Sequence, residues 1–191
     1  MRPAVRTVLA LAVVIAAVIL TSVYRSPLPR RWTEVREGWL YRSAQISAGS
    51  VAKVLHDERI NLVIDLTDDV KDPDFEAEAT AARALGVRYL HAPVSPNQDE
   101  AIAGYAHAVA AIAQAHARGD RVLVHCELGI RRSAAAVALY ARLVEHEPPE
   151  VAYRELYRRA DARAAWQAGM QAFLEENLPA LKARVAADLA G

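Results

Sequence analysis

Short aliphatic runs alternate with longer Ala-rich stretches from about Trp32 onward, and this alternation constrains the fold more than any other feature. Strands are predicted at residues 38–44, 61–66, 87–94 and 121–125. Helices are predicted at residues 47–59, 75–85, 99–118, 133–147, 150–160 and 164–187. Strands that alternate with helices form a largely parallel sheet with helices on both faces. We therefore predict an α/β fold with a central mixed, largely parallel sheet flanked by helices.

The charge distribution and the cysteine content exclude several classes of protein. The 191 residues carry 23 basic and 23 acidic side chains, but residues 1–31 hold five arginines and no acid. The remainder, with 18 basic and 23 acidic residues, has a net charge of −5. Because nucleic-acid binding begins with phosphate neutralisation, we expect no nucleic-acid partner. The single cysteine excludes an intramolecular disulfide framework and a Cys-rich zinc site.

The N-terminus contains an uncharged, mostly apolar segment, Val8–Tyr24, with arginines on both sides. Its 17 residues are at the short end of the length that crosses a bilayer as a helix. We predict a transmembrane anchor in residues 1–25, a stiff Pro-containing linker in residues 26–31 and one domain in residues 32–191. A cleaved signal segment is the main alternative, although no A-x-A-like cleavage site is present. A buried core helix is disfavoured by the flanking arginines.

Two features of the sequence predict opposite orientations of this segment in the membrane. More arginines follow the apolar run than precede it, which favours the later flank on the cytoplasmic side. A short basic head before an apolar core instead resembles an export signal, with the domain outside. We expect a single-pass membrane protein whose side is undetermined, with a slight preference for the extracytoplasmic side.

The only cysteine, Cys126, stands at the end of the most strand-like stretch and is followed by a short loop and a helix. Loop amides and a helix N-terminus together form a cradle for an anion the size of phosphate. Such a cradle stabilises a thiolate. Arg132 can bind two phosphate oxygens, and the Ser133 hydroxyl can bond to the sulfur. A buried structural cysteine is the alternative. The residues expected to surround the phosphate are Glu127, Leu128, Gly129, Ile130, Arg131, Arg132 and Ser133.

The segment HCELGIRRS, residues 125–133, resembles the HCxxGxxR(S/T) signature of cysteine-based tyrosine and dual-specificity phosphatases. GWLYRSAQIS, farther upstream, resembles the LYRSAQPS segment of their compact atypical bacterial, plant and fungal members. The resemblance covers about residues 32–160. It implies that Cys126 is the nucleophile, that Arg132 binds phosphate and that Ser133 assists thiolate release. It also implies a general acid in the loop HAPVSPNQDEA, where Asp99 is the only Asp.

The function expected from this resemblance is hydrolysis of phosphomonoesters through a phosphocysteine intermediate, without a metal or a cofactor. The substrate would be a phosphoprotein (tyrosine or Ser/Thr), a phosphorylated lipid or inositol head group, or a small molecule. Glu127 and Ile130 stand where phosphoinositide phosphatases of this type place lysines, which disfavours a polyphosphoinositide. A rhodanese-like sulfurtransferase and a non-catalytic module that binds phosphorylated ligands are the alternatives.

Several further polar residues surround the predicted site. We interpret His125 as a residue that orders the loop by bonding to backbone, rather than as a catalyst. Asp65, Asp68 and Asp69 follow a strand and are interpreted as a solvated acidic turn, with a reserve general acid as the alternative. Arg42 lies near the site by resemblance, or else packs at a sheet edge.

Overall fold

The computed structural model describes residues 28–158 and 164–190, and a five-stranded sheet forms its centre. The strands are β1 Thr33–Arg36, β2 Leu40–Ala44, β3 Leu62–Asp65, β4 Arg88–His91 and β5 Val122–Cys126. Their order is β1-β2-β5-β3-β4. Only β1 runs antiparallel to its neighbour, while the β2–β5, β5–β3 and β3–β4 pairs are parallel. The predicted mixed, largely parallel sheet is confirmed, and the sequence analysis missed β1.

Helices connect the strands and cover both faces of the sheet. They are α1 Val51–Asp57, α2 Pro73–Ala84, α3 Gln98–Ala117, α4 Arg132–Leu143, α5 Pro149–Ala152, α6 Arg154–Tyr157, α7 Ala164–Glu176 and α8 Leu178–Ala190. The helix predicted over 150–160 is wrong as a single element, because two single turns take its place within the described residues. The helix predicted over 164–187 is divided at Asn177, where Pro179 in the next turn lacks a backbone N–H.

Two apolar clusters hold the helices on the sheet. The larger one packs Val122 and Val124 of β5 against α3, α4, α7 and α8. The smaller one packs Leu123 of β5 and Val63 of β3 against α1 and α2. Alternate residues of one strand therefore enter opposite layers, as the two-residue period of a strand requires.

The parallel strands β2, β3 and β5 end together at one edge of the sheet. Ala44 stands opposite Cys126, and Asp65 stands opposite His125. The loops after β3 and β5 consequently meet at this carboxyl edge, where open α/β sheets bind their ligands.

The membrane anchor predicted over residues 1–25 lies outside the described residues. Within residues 28–158 and 164–190, no helix has the length and apolar character needed to cross a bilayer. The end of the predicted linker is bonded to the domain, because the backbone carbonyl of Arg30 accepts a hydrogen bond from the Ala44 amide at 2.8 Å.

Candidate active site

Cys126 is the last residue of β5, and Arg132 is the first residue of α4, as the signature predicted. The Cys126 side chain is buried at the base of a cleft that its sulfur lines. The Ser133 hydroxyl is also buried and lies 3.6 Å from the sulfur, within reach of a weak hydrogen bond to it. A nucleophile and a group that can stabilise its thiolate are therefore held together.

The carbonyl oxygens of residues 127–129 are tied to the body of the domain. The Glu127 carbonyl accepts a hydrogen bond from the Gln45 amide at 3.3 Å. The Leu128 carbonyl accepts one from the Arg31 guanidinium at 2.9 Å, and the Gly129 carbonyl accepts one from the Arg42 guanidinium at 3.0 Å. The peptides of the described residues are all trans, so each N–H points opposite to the carbonyl before it. The amides of residues 128–130 consequently point away from the domain body, the direction in which an anion can be bound.

Gly129 is required at the point where the loop passes β2. Its φ of 64° lies in the left-handed region, and a Cβ there would stand 2.7 Å from the carbonyl oxygen of Ser43. Any larger residue would displace the loop from the strand. The glycine of the signature therefore serves close packing as well as backbone conformation.

Arg132 is held across the cleft by the loop that follows β3. Its guanidinium donates to the Asp68 carboxylate at 2.5 Å and to the Leu66 carbonyl at 3.2 Å, and lies 3.5 Å from Glu127. Burial raises the pKa of the Asp68 carboxyl, but the hydrogen bond and charge of Arg132 outweigh this and lower the pKa overall. Asp68 and Asp69 are exposed, as expected for a solvated turn, but the Asp68 carboxylate also contacts Arg132.

His125 contacts acidic side chains, which corrects the prediction that its ring bonds to backbone. Its Nε2 lies 3.0 Å from Glu78 and its Nδ1 lies 3.7 Å from Asp65, and all three side chains are fully buried. The contacts lack hydrogen-bond geometry, so the attraction is between charges. Burial lowers the pKa of His125, but the nearby Glu78 and Asp65 carboxylates raise it to about 9. The two carboxylates therefore favour the protonated form of this buried histidine, which directly precedes Cys126.

Asp65, Glu78 and His125 are also close enough together to hold a metal ion, because their potential ligand atoms all lie within 4.8 Å of one another. Asp65 already accepts hydrogen bonds from the Thr67 backbone and hydroxyl and from the Tyr89 hydroxyl. The burial of Asp65 contradicts the prediction of a solvated turn for this residue. The arrangement fits a buried ion pair better than a metal centre, because the two carboxylates favour the protonated form of the histidine, which offers no ligand atom.

Asp99 lies in the first turn of α3, with Asn97 capping the helix. The Asn97 side chain accepts hydrogen bonds from the backbone amides of Asp99 and Glu100. Asp99 is exposed, and its neighbour Gln98 lines the cleft. The role of Asp99 as the general acid stays a prediction.

The cleft above Cys126 has a volume of about 590 Å³. Of the predicted phosphate-binding residues, Glu127, Leu128, Arg131 and Arg132 line it, whereas Gly129 and Ser133 are buried and Ile130 is half-buried. The sequence analysis missed Met170 and Phe173 of α7, which form an apolar wall. It also missed Tyr105, whose buried hydroxyl has no hydrogen-bond partner among the described residues and whose side chain lines the cleft.

Comparison with known proteins agrees with this geometry. A family described as "Dual specificity phosphatase, catalytic domain" matches residues 40–164. The human dual specificity protein phosphatase 12 is 32% identical over 109 residues, which are 57% of this chain and 32% of that protein. The chain thus matches only about a third of the length of this relative.

Solved structures share the fold. The crystal structure of Pseudomonas aeruginosa (P. aeruginosa) TpbA is 23% identical, with a TM-score of 0.57, and the match covers 81% of this chain and 96% of that one. The crystal structure of PTPMT1 in complex with PI(5)P is 19% identical, with a TM-score of 0.58, over 78% of this chain and 97% of that one. The family match extends over more than half of the chain and includes the Cys126–Arg132 loop, so this chain belongs to the dual-specificity phosphatase family.

Proposed function

We propose that the chain hydrolyses phosphomonoesters through a phosphocysteine intermediate at Cys126. The observation that carries the proposal is the loop after Cys126, in which the carbonyls of residues 127–129 are bonded to the domain while Cys126 lines the cleft. Preorganised amides aimed at one point stabilise the charge that develops on the equatorial oxygens of a transferring phosphoryl group.

The reaction has two displacements. The Cys126 thiolate attacks phosphorus, the bond to the leaving oxygen breaks, and Asp99 gives that oxygen a proton. Water then attacks the phosphocysteine and transfers its proton to Asp99, and the sulfur departs as a thiolate. The Ser133 hydroxyl, 3.6 Å from the sulfur, stabilises this leaving group.

Arg132 must exchange partners during binding. In the structure its guanidinium is bonded to Asp68, so an incoming phosphate competes with a carboxylate for the same donors. A dianionic phosphomonoester is the better ligand for a guanidinium because it offers two oxygens and more charge. Asp68 thus competes with the substrate phosphate for Arg132.

We assign the general acid to Asp99 rather than to Asp68. The hydrogen bond and charge of Arg132 lower the pKa of Asp68, which makes Asp68 the poorer proton donor. Asp99 is exposed in the first turn of α3, next to Gln98, which lines the cleft. Asp99→Asn should slow hydrolysis of an alkyl phosphate by about 10²–10⁴-fold, and that of an activated aryl phosphate far less. A uniform loss would assign Asp99 to loop structure, and Glu100→Gln is the matched variant.

The substrate is proposed to be a phosphoprotein or a phosphorylated lipid head group, and the PTPMT1 complex with PI(5)P supports the lipid class by analogy. We further propose that residues 1–25 form a membrane anchor, that residues 26–31 link it to the phosphatase domain of residues 32–191, and that this domain is extracytoplasmic. The apolar run Val8–Tyr24 supports the anchor. Resistance to alkaline extraction and accessibility to added protease test these two points.

The decisive assay for the proposed chemistry uses an aryl phosphate with a metal chelator present. Hydrolysis should continue, and Cys126→Ser should abolish it. The same preparation should form no thiocyanate from thiosulfate and cyanide. Thiocyanate formation without phosphate release would instead assign the loop to sulfur transfer.

A further inference from the structure

The polypeptide enters the domain at the phosphate-binding loop. The Arg30 carbonyl accepts a hydrogen bond from the amide of Ala44, the residue that pairs with Cys126 across β2 and β5. The Arg31 guanidinium donates to the carbonyl oxygen of Leu128, inside the loop itself, at 2.9 Å. Arg30 and Arg31, at the end of the linker that follows the apolar N-terminal segment, are therefore bonded at the catalytic edge of the sheet.

The length of the intervening chain limits how far this edge can lie from a membrane. The apolar run ends at Tyr24, six residues before Arg30. An extended chain of that length spans about 20 Å at most. A compact domain of about 160 residues has a radius of gyration of about 15 Å and a diameter of about 40 Å. The tether reaches roughly half of that diameter, so the catalytic edge must be on the side nearest the bilayer.

The surface of this edge has the chemistry of a membrane contact. Three large apolar side chains are exposed there: Leu28 at 42%, Val70 at 55% and Leu128 at 50%. Exposed cationic side chains accompany them, namely Arg30, Lys71 and Arg131. Apolar side chains flanked by Lys and Arg favour the interface of a bilayer that contains anionic lipids. The acidic Asp68 and Glu127 are instead directed toward Arg132.

The residues that line the cleft indicate which class of substrate it can bind. Among the described residues, its lining contains only two cations, Arg131 and Arg132, which suits a ligand with a single phosphate. Glu127 at the mouth disfavours a second phosphate. Met170 and Phe173 of α7 supply an apolar wall that suits the backbone and first methylenes of a lipid.

We propose that the active site faces the membrane to which the chain is anchored, and that its substrate is a glycerolipid with one terminal phosphomonoester in that membrane. This inference rests on the proposed phosphatase function and on the proposed membrane anchor, and it names the substrate class. The tether holds the phosphate-binding loop at head-group depth, and Leu28, Val70 and Leu128 enter the interface around the cleft. The reaction then leaves the lipid alcohol in the bilayer and releases inorganic phosphate to water.

The test uses the full chain reconstituted in phosphatidylcholine vesicles that contain phosphatidylglycerol, with phosphatidate as the probe. Phosphate release should be rapid when phosphatidate is in the same vesicles as the enzyme. Release should fall by about tenfold or more when phosphatidate is in separate vesicles, because the tether is short. Equal rates in the two arrangements would contradict a site held against its own membrane.

Surface variants separate membrane contact from chemistry. Leu28→Glu with Val70→Glu should lower phosphatidate hydrolysis by about tenfold or more, and should leave hydrolysis of a soluble aryl phosphate nearly unchanged. Leu85→Glu is the matched control, because Leu85 is also 42% exposed but precedes β4 at the opposite edge. An equal effect of the control would overturn the proposed surface.

A preparation that hydrolyses a phosphotyrosine peptide and the aryl phosphate, but not phosphatidate, would refute the lipid substrate and leave the phosphatase chemistry intact. Failure on the aryl phosphate itself would refute the phosphatase function.

Discussion

Arg42 links the core of the domain to the phosphate-binding loop, and its replacement should separate loop geometry from overall stability. Its side chain is 1% exposed. One guanidinium nitrogen donates to Glu155 at 2.9 Å, and another donates to the Gly129 carbonyl at 3.0 Å. Arg42→Met removes both donors, so the half-buried Glu155 carboxylate and a loop carbonyl both lose a partner.

The expected loss of stability depends on the partners that Glu155 keeps after Arg42 is replaced. Breaking a buried ion pair costs about 3–5 kcal/mol because the remaining charge is uncompensated. Arg158 still donates to Glu155 at 2.9 Å, so we expect the lower end, about 3 kcal/mol. Without Arg42, the peptide after Gly129 can rotate and its amide can leave the phosphate. Losing one such donor lowers kcat by about 10²–10³-fold.

A double variant distinguishes the two effects. Glu155→Leu added to Arg42→Met replaces the buried pair by apolar side chains and should recover most of the stability in urea unfolding. The Gly129 carbonyl still has no donor, so kcat for an aryl phosphate and the affinity for vanadate should stay low. Recovery of kcat together with stability would refute the reasoning and leave Arg42 with a purely structural role.

Three further perturbations test neighbouring parts of the site. Gly129→Ala should lower kcat by about 10²-fold or more, because its Cβ would overlap β2, and stopped-flow assays of aryl phosphate hydrolysis measure this. The pKa of His125, about 9 when folded against about 6.5 unfolded, predicts roughly 3 kcal/mol of stability that is present below pH 6.5 and lost as the pH rises through 9. Glu78→Gln should flatten that dependence in urea unfolding at several pH values, and an unchanged profile would contradict the assignment. Asp68→Asn should free Arg132 and lower the Kd for phosphate by about two- to fivefold, whereas weaker binding would show that Asp68 positions the arginine.

The local part of the site was predictable because it is contiguous in sequence. A strand, a short loop with glycine and a helix N-terminus specify one another within a few residues, so Cys126, Arg132 and Ser133 occupy the predicted places. The parallel sheet was predictable for the same reason, since buried strands appear as apolar runs.

The remaining features depend on contacts between distant residues. Strand β1 contains one apolar residue, Val35, and becomes a strand by pairing with β2. Glu78 is an ordinary acid in an Ala- and Glu-containing helix until the fold places it against His125. Asp68 follows a strand as many solvated acids do, and only the meeting of two loops pairs it with Arg132.

The central claim is that phosphate is transferred to the sulfur of Cys126. Rapid acid quench of the enzyme with an aryl phosphate, followed by mass spectrometry of the peptide that contains Cys126, tests it most directly. A covalent phosphate on Cys126 that forms within one turnover, and that is absent from Cys126→Ser although this variant still binds vanadate, is the predicted result. Rapid turnover by wild type with no phosphate on Cys126 at any quench time, or turnover by Cys126→Ser, would contradict it.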